Sequence, residues 1–299
     1  MGREQEYRYR VVDVFTEHPL EGNALAVFPD ASTIDASIMQ RIARELNLAE
    51  TAFVLPPTRS DCAARVRIFT PAKEMLFAGH PTIGTAFVLL DEGLEAVKTG
   101  DFMLEENIGP VPVRVETGAR PMVWLSTPSI EVGPCYDPAL CANVLGLSTK
   151  DLLDIAPQRL SAGNPTIFVA LRDRLAVDRA WLDLTGMRQL RGSDPELACA
   201  FVFTPTAQGA YSRMFAPEYG VAEDPATGSS TGPLAAFMMR HGLAADVGGT
   251  RLVSEQGTKM GRRSLLHVHV RGDRGAGGIE VGGHVTPLVT ATMSLPAAR

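Results

Sequence analysis

What the chain lacks narrows it first. It has no excess of positive charge: 28 Lys and Arg against 34 Asp and Glu leave a formal net charge of −6. That argues against nucleic acid or an anionic membrane as the partner. No apolar run approaches the roughly 20 residues a membrane helix needs, and the opening residues Met1-Gly2-Arg3-Glu4-Gln5-Glu6 hold no apolar signal core. The four cysteines, Cys62, Cys135, Cys141 and Cys199, form no C-x-x-C pair. They are expected as ordinary buried small residues in a reduced, cytoplasmic protein. The glycines of residues 275–278 match neither G-x-G-x-x-G nor a P-loop in a strand–helix setting, so a nucleotide site is unsupported. His267 and His269 alternate along one strand, and two histidines do not fill a zinc site. Neither cofactor nor metal is expected.

What is present is a well-packed composition, 45% hydrophobic and 21% charged, in 299 residues. That is enough for one large domain or two of about 150 residues. A phrase that occurs twice favours two. His80-Pro81-Thr82-Ile83-Gly84-Thr85 has an echo in Asp224-Pro225-Ala226-Thr227-Gly228-Ser229, and each leads into an apolar stretch that stops at a glycine, Gly93 or Gly242. Stretches with no polar face must be buried all round if helical, and the glycines suit helix ends. The echo also pairs Gly22-Asn23 with Gly163-Asn164 and Arg67-Ile68-Phe69 with Arg213-Met214-Phe215. These matches stand 141, 146 and 144 positions apart in the same order, the mark of a duplicated chain.

Strands are expected at 7–15, 24–28, 51–55 and 65–69, with a helix over 32–47 whose Ile34, Ile38, Ile42 and Leu46 form one stripe. Further strands fall at 101–104, 111–116 and 122–126. Residues 127–135, rich in Pro and Gly, read as a linker. The second half repeats the pattern, with a strand at 200–204, glycine-rich hairpin residues at 271–278, and final strands at 279–285 and 288–295. Superposing Ala52-Phe53-Val54 on Ala200-Phe201-Val202 sets Glu50 opposite Ala198. One half manages with alanine there, so the carboxylate is a candidate for chemistry rather than a surface glutamate beside a strand.

A helix N-terminus offers unpaired N–H groups and partial positive charge, and a pair of them would cradle a small carboxylate. His80 alone would pass for a turn or core histidine, and Asp224 for a helix cap. Together with Glu50 they make three titratable groups suited to moving a proton next to a carboxylate.

Gly22-Asn23-Ala24-Leu25-Ala26-Val27, Asn47-Leu48-Ala49-Glu50-Thr51, Phe77-Ala78-Gly79-His80-Pro81-Thr82 and Glu223-Asp224-Pro225-Ala226-Thr227-Gly228-Ser229 resemble the phenazine-biosynthesis isomerase (PhzF-like) family. Gln256-Gly257, Met260-Gly261-Arg262 and Val281-Gly282-Gly283 extend the likeness over nearly the whole chain. The resemblance implies the α+β fold of diaminopimelate epimerase: two similar domains, each a sheet wrapped around a central helix, with the active-site cleft between them. The domains are expected at 1–128 plus 286–299, and at 129–285. It also implies isomerisation of a dihydro-3-hydroxyanthranilate by proton transfer along one ring face, without cofactor, in a homodimer. Glu50 resembles the acid–base that carries the proton, with His80, Asp224 and Ser229 orienting the substrate and assisting. Gly79 and Gly228 resemble backbone donors, and Asn23 and Thr227 are further expected substrate-binding positions. Ala24 and Arg263 depart from prolines usual in the family, outside the acid set. The competing expectations are a racemase or epimerase of a small amino acid derivative, and a small-molecule binder without turnover.

Overall fold

A computed structural model describes residues 4–98, 100–245, 247–271 and 278–296. The hairpin expected at 271–278 lies almost wholly outside the described residues. The chain divides into two compact units, Met1–Leu125 with Gly282–Arg299, and Ser126–Val281.

The first unit holds β1 (Glu4–Val14), β2 (Asn23–Phe28), α1 (Ala36–Leu46), β3 (Glu50–Leu55), β4 (Ala64–Phe69), β5 (Glu74–Met75), α2 (Gly79–Asp91), β6 (Asp101–Glu106), β7 (Gly109–Glu116) and β8 (Met122–Ser126, its last residue in the second unit). β1 and β2 pair antiparallel, and β2 and β3 parallel with Leu25 opposite Glu50. β3 and β4 are antiparallel with Thr51 opposite Phe69, β4 and β6 parallel, and β6 and β7 antiparallel. α1 explains where Glu50 falls. The Asp35 carboxylate accepts from the Ser37 N–H at 2.8 Å and opens the helix. Asn47, left-handed at φ 50°, closes it, and the chain enters β3 three residues later.

α2 is buried from Gly79 through Leu89 and packs on β1, β2 and β3. Gly84 permits that approach: a Cβ there would lie 2.6 Å from Leu25 Cδ2 and 2.8 Å from Val14 Cγ2. Pro81 sits in the first turn, where a backbone N–H would have no helical partner anyway. In the core that α1 covers, the rings of Phe28 and Phe53 stack with centroids 5.0 Å apart, and Phe69 stands edge-on to Phe53.

The second unit holds β9 (Glu131–Cys135), α3 (Pro138–Val144), β10 (Gln158–Ser161), β11 (Thr166–Ala170), α4 (Arg174–Arg179), α5 (Leu184–Ser193), β12 (Cys199–Thr206), β13 (Gly209–Ala216), β14 (Val221–Asp224), α6 (Gly228–Arg240), β15 (Arg251–Gln256) and β16 (Ser264–Val270). β11 and β12 are parallel, β12 and β13 antiparallel, β13 and β15 parallel, and β15 and β16 antiparallel. α6 is buried through most of its length, with Phe237 against Phe168 and Phe203.

Three details differ from the sequence reading. Residues 131–135 are not linker but β9, paired with β10. The two closing strands are one, β17 (Ile279–Pro296). It passes into the first unit at Gly282 and pairs antiparallel with β1, Tyr7 opposite Met293 and Val11 opposite Val289. Third, Thr51 faces Phe69 while Ala200 faces Phe215, so the ladders match Glu50 with Cys199 rather than Ala198. Backbone pairing fixes that register, and the shared Ala-Phe-Val letters are one residue out of step with it.

Candidate active site

Asn23 opens β2 after Gly22, whose left-handed φ of 67° suits glycine and whose added Cβ would sit 2.4 Å from the Val14 carbonyl oxygen. This tight turn buries the Asn23 amide at 1% exposure and sets its Nδ2 3.2 Å from His80 Nδ1. An amide nitrogen can only donate, so Nδ1 accepts and the ring proton resides on Nε2. Nε2 lies 3.2 Å from Glu50 Oε2, within reach but not aligned as a hydrogen bond. Burial pushes His80 down to about 3. The contact is therefore a neutral imidazole beside a carboxyl group, not an ion pair. Asn23, Glu50, Gly79 and His80 thus form one cluster at the start of α2.

Because its folded pKa lies below the ordinary histidine value, His80 adds stability above about pH 6.5 and loses that contribution as pH falls toward about 3. In a proton NMR titration its ring signals are expected to stay constant from about pH 8 to 5. A midpoint near 6.5 would contradict a neutral, buried ring.

The second cluster lies in the second unit. Asp224 ends β14 opposite Met214. The Thr227 hydroxyl donates to its Oδ2. Gln256, fully buried, donates from Nε2 to the Asp224 carbonyl at 2.7 Å and to Thr227 Oγ1 at 3.1 Å, while its Oε1 accepts from the Thr227 N–H at 3.3 Å. Ser229 Oγ accepts from Asn164 Nδ2 at 2.8 Å, and Asn164 Oδ1 accepts from the Tyr219 hydroxyl at 3.2 Å. Asp224, Thr227, Gly228 and Ser229 are therefore neighbours, braced by Gln256, Asn164 and Tyr219.

The two phrases do not occupy matching places. His80 is the second residue of α2, whereas Asp224 precedes α6 by four residues and the second residue of α6 is Ser229. Asn164 was visible in the Gly-Asn echo, though not as a site residue; nothing in the sequence pointed to Tyr219. Among the described residues, no group of three His, Cys, Asp or Glu could hold a metal, and no helix is long and apolar enough to cross a membrane.

The family model for phenazine biosynthesis-like proteins (PhzC-PhzF) matches residues 12–291. The chain belongs to that family. It is 37% identical over 271 residues to the trans-2,3-dihydro-3-hydroxyanthranilate isomerase of Pseudomonas aeruginosa, covering 89% of this chain and 91% of that one. It is 38% identical over 298 residues to an uncharacterized isomerase of Mesorhizobium japonicum, covering 94% and 96%. The structure of a predicted epimerase from Pseudomonas aeruginosa matches with a TM-score of 0.81 at 33% identity, covering 96% of this chain and 99% of that one. This phenazine biosynthesis-like protein is an isomerase with the fold of its family.

Proposed function

We propose that this isomerase moves a proton within a small cyclic or amino carboxylate, as a trans-2,3-dihydro-3-hydroxyanthranilate isomerase would, with Glu50 as the general acid–base. The observation that carries this is the carboxyl of Glu50 held 3.2 Å from a neutral, buried imidazole whose far nitrogen is fixed by Asn23. A neutral imidazole adds no charge to lower the carboxyl's basicity, yet can donate from Nε2 to a substrate oxygen. Asp224 and Ser229 are assigned to orienting the substrate, with Gly79 and Gly228 as backbone donors to its anionic group and Thr227, whose hydroxyl and N–H are taken by Asp224 and Gln256, lining the same place. The chemistry needs no cofactor, and the family resemblance supports a homodimer.

The chain is further read as a duplication, each half a sheet about a buried helix. In its support, both units run parallel, antiparallel, parallel, antiparallel through their ladders. Both also send a Gly-Asn carboxamide to the second residue of the buried helix. The matching place to Glu50 holds Cys199, a thiol buried to 1% exposure.

Incubating the enzyme with trans-2,3-dihydro-3-hydroxyanthranilate in D2O tests the reading. Product with one deuterium, or with the original hydrogen carried across, is expected. Inversion at one carbon with no double-bond shift would favour the epimerase alternative, and binding without exchange would favour a mere binder.

A further inference from the structure

Glu106, the last residue of β6, is buried at the start of α2 and belongs to neither cluster above. Thr82 Oγ1 lies 2.5 Å from Glu106 Oε1 and 2.8 Å from the Ala78 carbonyl oxygen. A hydroxyl has one proton and cannot donate to both. If Thr82 donates to the carbonyl, the proton between Thr82 and Glu106 must come from the carboxyl. The second oxygen, Oε2, is buried and has no hydrogen-bond partner among the described residues. An ionised carboxylate there would be a buried charge with at most partial solvation, which is costly.

The second unit supplies an independent comparison. β4 pairs with β6 and β13 with β15 in parallel, Arg65 opposite Glu105 and Tyr211 opposite Glu255. The next residue along is Glu106 in one ladder and Gln256 in the other. Both end their strands beside the residue that precedes a buried helix, Ala78 or Thr227. Thr82 and Thr231 each donate four residues back, to Ala78 and Thr227, at 2.8 and 2.9 Å. Gln256 fills its place with an amide, one end accepting and the other donating. A protonated glutamic acid offers the same pairing of acceptor and donor; a carboxylate does not.

We propose that Glu106 stands in this protein as a neutral carboxylic acid and is a positioning residue, fixing the first turn of α2 and through it the ring of His80. Burial pushes its pKa up to about 8, against the pull of the Thr82 hydroxyl and the Ala78 N–H. The charged groups nearby along the chain are engaged elsewhere: Glu105 accepts from Thr58, and Glu74 pairs with Arg67. His80, on the facing helix, is neutral. No cation pairs with Glu106 among the described residues.

This role rests on the reading that His80 serves the reaction, and its test is arranged to stand apart from it. Thermal unfolding midpoints of the wild type and Glu106→Gln are measured from about pH 5 to 9. A raised folded pKa gives stability that is present at low pH and lost as pH rises through about 8. The two midpoints should therefore be close near pH 5, with Glu106→Gln ahead by several degrees near pH 9. In parallel, selectively 15N-labelled histidine reports on the His80 ring. Its signals should be kept in Glu106→Gln and displaced in Glu106→Ala, or in Thr82→Val if the alanine variant does not fold. A midpoint gap independent of pH, or one that favours the wild type as pH rises, overturns the neutral acid. Unmoved His80 signals in the folded variants overturn the positioning role. Neither readout involves turnover, so an inactive or active Glu50→Gln enzyme leaves both intact.

Discussion

Replacing Glu50 by Gln is expected to cost about 10²–10⁴-fold in turnover, the usual share of a positioned acid–base, with the unfolding midpoint almost unchanged. Glutamine keeps the shape at the start of β3 and can still meet His80 Nε2, now through an amide oxygen. What it cannot do is take a proton. Since Glu50 lies on a strand end, partly exposed, and not within the packed core, the substitution removes no buried apolar surface. Steady-state kinetics beside a thermal scan separate loss of chemistry from loss of fold. Near-normal turnover in Glu50→Gln would refute the assignment of the proton to this residue.

The largest expected loss of stability is at Arg213. Its guanidinium holds Glu223 through two contacts of 2.8 Å, and the two protons of its Nη1 are shared among the carbonyls of Val177, Asp178 and Ala180 at 3.0, 3.2 and 2.6 Å. Only 9% of the side chain is exposed. Arg213→Ala strands a largely buried carboxylate and three carbonyls, for which about 3–5 kcal/mol is the usual cost of breaking such a pair. For a chain of this size that is a fall of roughly 10 °C in midpoint. Glu223 adjoins Asp224, so the same change should loosen the second cluster and raise KM. Arg67, with a similar grip on Glu74, is more exposed and turns its remaining nitrogen to the Met39 sulfur at 3.6 Å rather than to a group of carbonyls, so Arg67→Ala should cost less. Pairing Arg213→Ala with Glu223→Gln should recover part of the loss. Equal losses at Arg67 and Arg213 would show that the carbonyl contacts contribute nothing.

Much of this was legible in the chain because it is local. Asp35 and Asn47 announce the ends of α1 through cap chemistry that needs only a few neighbouring residues. The Gly-Asn pairs mark turns for the same reason. What escaped depends on contacts between residues far apart in sequence. Nothing in the letters around Glu106 says that Thr82 will lie against it, and Tyr219 reaches Asn164 across 55 positions. The phrase echo misled for a related reason. Proline and glycine recur in both copies, yet in one the proline enters the helix and in the other it precedes it, since β14 delays the start of α6. The match of Glu50 to Ala198 failed by one residue because three shared letters cannot outvote a ladder of backbone pairs.

The course of β17 has a bearing on synthesis. β1 has one flank that is satisfied by residues 285–296, which are synthesised long after it. Until those residues emerge, that flank presents unpaired N–H and C=O groups, the kind of edge that recruits stray strands. Its partner lies far along the sequence, Val14 meeting Val285 and Glu4 meeting Pro296, a separation that slows closure. Nascent chains stalled short of residue 285 should therefore be the species most dependent on a holdase, and a release of that dependence should come as residues 285–296 emerge.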